Sequence, residues 1–216
     1  MVLEGGWKVS MDISCKNNIR VENLCKSYGD HSVLNSINFE FEAGKISCLM
    51  GESGIGKTTL LKILMRLEKQ DSGSVIGIDG NTKISAVFQE ERLCDNLTSL
   101  GNILMVCDKN ISRETIKKQL SKVLQEETVL KKVSLLSGGM RQRVAIVRAM
   151  IVSSDIVLMD EPFKGLDEET KKAVIAYVKD NQCGRTVLIV THNIDDARML
   201  EAPICVLTKQ EQIATI

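Results

Sequence analysis

Residues 51–59 read GESGIGKTT, which satisfies G-x-x-x-x-G-K-[ST] with Gly51, Gly56, Lys57 and Thr58 in the fixed places. No other stretch restricts the fold so tightly. Such a loop must leave a buried strand and open a helix. Glycines let the backbone curl until successive N–H groups face one anion, and the helix directs its positive end at the same point. Both neighbours are present. ISCLM, Ile46 to Met50, is a short apolar run of the kind that forms a buried strand, and Leu60, Ile63, Leu64 and Leu67 follow helical spacing afterwards. The whole run from Gly51 through Glu52, Ser53, Gly54, Ile55, Gly56, Lys57 and Thr58 to Thr59 is therefore expected to cradle phosphates. Lys57 is expected to neutralise the terminal phosphates, Thr58 to ligate Mg²⁺ and Thr59 to donate to the α-phosphate.

A second strand carries the acids such a site needs. IVLMDEP places four apolar residues before Asp160 and Glu161. In a parallel sheet the C-terminal strand ends face the ligand. Asp160 is expected to hold Mg²⁺ through water. Glu161 is expected to polarise or deprotonate the attacking water, an effect worth about 10²–10⁴-fold. TVLIVTH predicts a strand over 186–192 ending at His192, a donor to the γ-phosphate. SAVFQ predicts a strand over 85–89 ending at Gln89, whose amide contacts either Mg²⁺ or the water.

Strands alternate with helices along the rest of the chain. INFEF alternates as a half-buried strand over 37–41, and DSG at 71–73 ends the helix after the loop. Residues 91–133 are rich in Lys, Glu, Gln, Leu and Ile and lack proline, which predicts a mostly helical insert. Further helices are predicted over 139–153 and 168–181, strands over 155–160 and 204–207, and a short helix between His192 and the last strand. The alternation implies a mainly parallel α/β sheet.

Composition removes several classes. With 216 residues, 44% of them apolar and 3% aromatic, the chain can build a substantial aliphatic core. Lys plus Arg equals Asp plus Glu at 28 each, which gives no electrostatic case for a nucleic-acid partner. The seven cysteines contain no CxxC pair and are odd in number, which argues for a reducing compartment and against a disulfide frame or zinc site. No apolar run approaches the ~20 residues that cross a bilayer, and the N-terminus lacks a signal-peptide stretch, so a cytosolic location is expected. Residues 1–18 are expected to form an extension. Met11 offers a second start, leaving open whether residues 1–10 are native.

The order of the motifs is informative as a set: phosphate loop, glutamine-ended strand, helical insert, LSGGM (136–140), IVLMDEP, GLD (165–167) and a histidine-ended strand. In this order the chain, from Ile19 to its end, resembles the nucleotide-binding subunits of ATP-binding-cassette (ABC) transporters. EPFKGLD (161–167) and VFQEERL (87–93) look most like bacterial importer subunits of the nitrate, sulfonate or taurine type.

That resemblance implies a P-loop NTPase with a mainly parallel RecA-like sheet, a small antiparallel β subdomain and an α-helical insert at about 91–135, all within one ATPase domain over 19–216. LSGG looks like the family signature. It implies that two subunits pack head to tail around two ATPs, with Ser137, Gly138 and Gly139 of one capping the nucleotide on the loop of the other. Taken alone, Ser137 reads equally as a helix N-cap. Tyr28 matches the aromatic position that stacks on adenine. Asp167 matches the residue that communicates across the dimer, and it could equally cap the helix that follows.

The resemblance further implies a homodimer or a pair with a similar subunit, a separate transmembrane permease, a cytoplasmic place on the inner membrane face through that permease, and an external solute-binding protein in the same system. A soluble ABC ATPase and a non-hydrolysing scaffold are the alternatives. Three features depart from the family pattern. Met140 stands for the usual glutamine. Glu91 and Asp95 replace common prolines. The short interval from Lys57 to Gln89 implies a trimmed antiparallel part.

Overall fold

The computed structural model describes residues 17–208 and 214–215; apart from residues 17 and 18, the expected N-terminal extension lies outside them. Among these residues the strands are β1 (Ile19–Tyr28), β2 (His31–Phe41), β3 (Ile46–Met50), β4 (Ser72–Ile76), β5 (Ile84–Val87), β6 (Ile156–Asp160), β7 (Thr186–Val190), β8 (Ile204–Val206) and β9 (Ala214–Thr215). The α-helices are α1 (Lys57–Leu64), α2 (Ser99–Leu104), α3 (Arg113–Leu120), α4 (Gly138–Ile151), α5 (Glu168–Asp180) and α6 (Ile194–Leu200).

Six strands form one sheet in the order β5-β6-β7-β3-β8-β9, parallel except for the last pair. Both faces are covered, so β6 and β7 are buried at every position. Their side chains divide with a period of two. Val157, Met159, Val187 and Ile189 face the core shared with α4 and α5, whereas Ile156, Leu158, Leu188 and Val190 face the core shared with α1. Full burial of each such side chain contributes about 1.5–3 kcal/mol. The centre of the sheet is therefore rigid, and the C-terminal ends of β3, β6 and β7 are held side by side.

The second sheet is antiparallel, in the order β2-β1-β4. Its inner residues, including Ile19, Val21, Leu34 and Phe41, join Leu60, Leu61 and Leu64 of α1 in one core. The trimming expected from the short Lys57–Gln89 interval applies to only one strand. β1 and β2, with 10 and 11 residues, precede the phosphate loop, and only the five-residue β4 comes from the interval.

Within the insert, helix is sparser than the composition implies. α2 and α3 are short, and single 3₁₀ turns occupy 126–128 and 133–135. Polar residues there act as N-caps. Thr98 Oγ1 accepts from Gly101 N at 2.9 Å, and Ser112 Oγ accepts from Thr115 N at 3.1 Å. The buried Asn102 side chain bonds both Cys94 N and Cys94 O, fixing the chain before α2.

A buried cation closes the opposite end of the sheet from the loop. Arg185, 1% exposed, donates to the carbonyls of Met150, Val152, Asn181 and Gln182 and to the Ser154 hydroxyl. It thus satisfies the last carbonyls of α4 and α5 together. Arg185→Met removes those donors and leaves buried carbonyls unpaired, so a loss of about 3 kcal/mol or more in urea unfolding is expected.

Candidate functional site

The phosphate loop leaves β3 through backbone shapes that a side chain would obstruct. Gly56 has φ +108°, and a Cβ there would stand 2.6 Å from Leu34 Cδ2. Gly51 has φ +153°, with the Leu207 carbonyl oxygen 2.7 Å from its Cβ position. These two contacts explain why glycine stands at both fixed places. Gly56 is also the N-cap of α1 and makes no side-chain cap, so the first amides of the helix stay available to an anion. Lys57 Nζ donates to Gly51 O at 2.7 Å and Glu52 O at 2.8 Å. The ammonium thereby closes the loop into a ring while retaining a third donor.

Asp160, at the end of β6, is 5% exposed and accepts from Thr58 Oγ1 at 2.8 Å. Burial pushes its carboxyl above the ordinary aspartate range. The Thr58 hydroxyl and the charges of Lys57 and Lys62 offset that only in part. A desolvated carboxylate beside a hydroxyl, both oxygen donors, fits a hard divalent cation such as Mg²⁺.

The next residue, Glu161, has φ +50°, in the left-handed region. Its amide donates to Val190 O at 2.9 Å. A non-glycine residue held there costs about 1–3 kcal/mol and persists only when its surroundings enforce it. The result directs the carboxylate sideways. Its Oε2 lies 2.8 Å from Nδ1 of His192. An ionised carboxylate only accepts, so Nδ1 carries the proton in this contact. β7 stops at Val190, two residues short of the predicted end, and His192 sits in the turn beyond it. That turn frees the imidazole from the sheet and lets it meet Glu161.

A cleft of about 630 Å³ collects these groups. Its wall contains Gly51, Ser53, Gly54, Gly56, Lys57, Thr58 and Thr59 from the loop, with Gln89, Asp160, Glu161 and His192 from the strand ends. β5 ends at Val87 rather than at the predicted position 89, which places Gln89 in the exposed loop just beyond the strand. Ile55 lines an adjoining groove with Ser53 and Gly54. Glu52 contributes its carbonyl to Lys57.

Two residues of the wall have no role in the sequence reading: Val33 from β2 and Lys164. Lys164 stands three residues after Glu161 inside EPFKGLD, so its spacing was legible. Val33 reaches the loop only through the antiparallel sheet, which no local pattern reveals.

Besides Glu52 and Ile55, five candidates lie outside the cleft wall. Ser137 N-caps α4, accepting from Met140 N at 3.3 Å, and with Gly138 is exposed; Gly139 packs beside Leu166. Asp167 N-caps α5, accepting from Thr170 N at 2.9 Å, and that amide holds its carboxyl below the usual range. Both capping readings are thus realised. Tyr28, 46% exposed, ends β1 with the Lys26 ammonium 5.2 Å from its ring centre. The two acids that stand for prolines both pair with Arg141 in the first turns of α4, Asp95 at 2.7 Å and Glu91 at 3.7 Å.

The family model described as ABC transporter matches residues 34–164, more than half of the chain. The chain belongs to the ABC transporter family. It is 33% identical over 209 residues to the bicarbonate transport ATP-binding protein CmpD of Synechococcus elongatus, covering 87% of this chain and 74% of that protein. It is also 33% identical over 218 residues to the sulfate/thiosulfate import ATP-binding protein CysA of Vibrio vulnificus, covering 91% of this chain and 63% of that one. The fold matches the dimeric structure of the ABC transporter cassette MJ0796 with a TM-score of 0.78 at 31% identity, over 90% of this chain and 96% of that one. A dimeric post-hydrolysis state of the same cassette, bound to ADP and Pi, matches with a TM-score of 0.77. The shared ABC fold accounts for both sheets and for the motif order.

Proposed function

We propose that this chain is the ATP-binding and ATP-hydrolysing subunit of an ABC transporter, closing as a head-to-tail pair around two ATPs to drive import through a separate permease. One observation carries the reading. The loop, Asp160, Glu161 and His192 share one cleft, whereas the serine–glycine turn at 137–139, exposed at Ser137 and Gly138, is not part of its wall. A turn offering a hydroxyl and approachable amides at a helix start suits an anion. Its own cleft does not use it, so a second copy supplies the nucleotide it caps. The dimeric MJ0796 structures support the pairing of two copies, as the names of the importer relatives support coupling to transport.

The residues then divide the chemistry. Loop amides and Lys57 hold the β- and γ-phosphates. Thr58 and Asp160, with Gln89 at the rim, are the groups that would hold Mg²⁺, which when bound neutralises charge on the phosphate oxygens. Glu161 takes a proton from water as its oxygen bonds to the γ-phosphorus and the bond to the ADP oxygen breaks. His192, anchored to Glu161 through Nδ1, presents its other edge to the γ-phosphate. Tyr28 stacks on adenine, and Asp167 communicates across the pair while capping α5.

Moving an open–closed balance from 1:99 to 99:1 needs about 5.5 kcal/mol, a little under 3 for each shared ATP, which charge-assisted hydrogen bonds supply.

Residues 19–216 act as one ATPase unit with a helical part at about 91–135. Residues 1–18 stand outside that unit. No helix among the described residues is long and apolar enough to cross a membrane. Attachment to the cytoplasmic membrane face through the permease, and cooperation with an external solute-binding protein, follow from the importer reading.

Complementation tests the pairing. Lys57→Ala and Ser137→Arg chains are each expected to be inactive alone. A mixture should recover turnover, because the intact loop of one and the intact turn of the other build one whole site. If the mixture stays as inactive as its components, the shared site is wrong.

A further inference from the structure

The turn that carries His192 is held from beneath by a buried charged group that the hydrolytic residues do not include. Thr191, 1% exposed, lies between β7 and His192, and its amide donates to Leu49 O at 3.2 Å. Its hydroxyl donates to Asp196 Oδ2 at 2.6 Å and accepts from Asn193 N at 3.1 Å. Thr191 Oγ1 therefore ties together the residues on both sides of His192. Asp196, 3% exposed on α6, turns its other oxygen, Oδ1, to the Lys171 ammonium at 3.5 Å; Oδ1 has no hydrogen-bond partner among the described residues. Lys171, 7% exposed, also meets Glu168 at 3.0 Å, and its amide donates to the Asp167 carbonyl at 2.8 Å.

Burying such a pair is weak as a source of stability, since desolvation offsets most of the attraction. An apolar pair of similar size would serve the core as well. A carboxylate that spends one oxygen on a hydroxyl and the other on a lysine does something an apolar pair cannot, because it fixes direction. The hydroxyl it orients belongs to the residue next to His192. The lysine it pairs with belongs to the first turn of the helix that Asp167 caps.

We propose that Lys171, Asp196 and Thr191 are positioning residues that hold His192 in hydrogen-bond register with Glu161 and tie that register to the Asp167 end of α5. The inference rests on the ATPase reading above and adds three residues to it. Misplacing a reacting group by about 1 Å can cost on the order of 10²-fold in rate. Loss of the tie is therefore expected to lower kcat while leaving nucleotide binding, which the loop performs, in place.

Thr191→Val keeps the shape and removes the hydroxyl, whereas Thr191→Ser keeps the hydroxyl. Steady-state ATP hydrolysis is expected to show kcat about tenfold or more below the parent in Thr191→Val, KM within about twofold, and recovery in Thr191→Ser. Asp196→Ala, which removes the acceptor of the Thr191 hydroxyl and the partner of Lys171 together, serves as the second variant, with the same expected split, should the valine form not fold.

NMR of the His192 imidazole in the nucleotide-free chain gives a readout independent of turnover. Its signals should move in Thr191→Val and return in Thr191→Ser. Parental kcat in Thr191→Val, a serine variant as impaired as the valine one, or unmoved His192 signals would each overturn the proposal. A parent without turnover would instead count against the ATPase reading, and the His192 signals would still decide the positioning.

Discussion

Glu161→Gln is expected to lower ATP turnover by about 10²–10⁴-fold while leaving ATP affinity close to the parent's. Glutamine keeps the shape of the side chain and a carbonyl oxygen, but it cannot take a proton from water. It retains the left-handed backbone at φ +50° and the amide bond to Val190 O, since both belong to the main chain. The contact to His192 Nδ1 also survives, because an amide oxygen accepts as a carboxylate does. Only the proton acceptor is lost. A closed pair should then accumulate, because ATP binds and is not consumed. Light scattering of the variant with ATP should read a dimer, whereas the parent reverts to monomer as ATP is spent. Parental turnover in the variant would remove Glu161 from its role.

Lys57→Ala is expected to act earlier, on binding. The ammonium both bridges Gly51 O and Glu52 O and faces the cleft. Its removal costs charge-assisted hydrogen bonds to phosphate, each worth about 1.5–3 kcal/mol, and frees two loop carbonyls. ATP affinity by calorimetry should fall by roughly 10–100-fold or more, with hydrolysis lost in consequence. Lys57→Arg is expected not to restore it, because a planar fork does not fit a ring closed at 2.7 and 2.8 Å. An unchanged affinity in Lys57→Ala would place the phosphates elsewhere.

Much of the site could be read from the sequence because its chemistry forces its surroundings. A phosphate loop requires a strand before it and a helix after it, and β3 and α1 stand where that rule puts them. IVLMD is buried throughout, as a central parallel strand must be. The antiparallel sheet was harder to see. β1 carries a bulge at Asn23, φ +49°, and β2 another at Ser36, φ +48°, and each breaks the two-residue alternation that marks a strand. Only Ile37–Phe41, beyond the second bulge, kept its pattern. β4 is short, contains Gly73 and packs only partly, so its residues read as a helix stop.

The composition of the insert favours helix, and its two α-helices start at the N-caps Thr98 and Ser112, but they are only six and eight residues long. The apolar runs place His192 and Gln89 at strand ends, whereas both lie two residues past them. In both cases the turn is what frees the side chain to reach the cleft. The Lys171–Asp196 pair joins residues 25 positions apart on two helices, and no local spacing signals it.

A complete ATP site depends most on the second copy. The measurement that reaches it most directly is a crystal structure of Glu161→Gln with ATP and Mg²⁺. The expected result is Ser137 Oγ of one copy within hydrogen-bond distance of the γ-phosphate held by the loop of the other, with both clefts filled alike. A nucleotide-filled chain whose Ser137 stands away from every γ-phosphate, its own or a neighbour's, would contradict it.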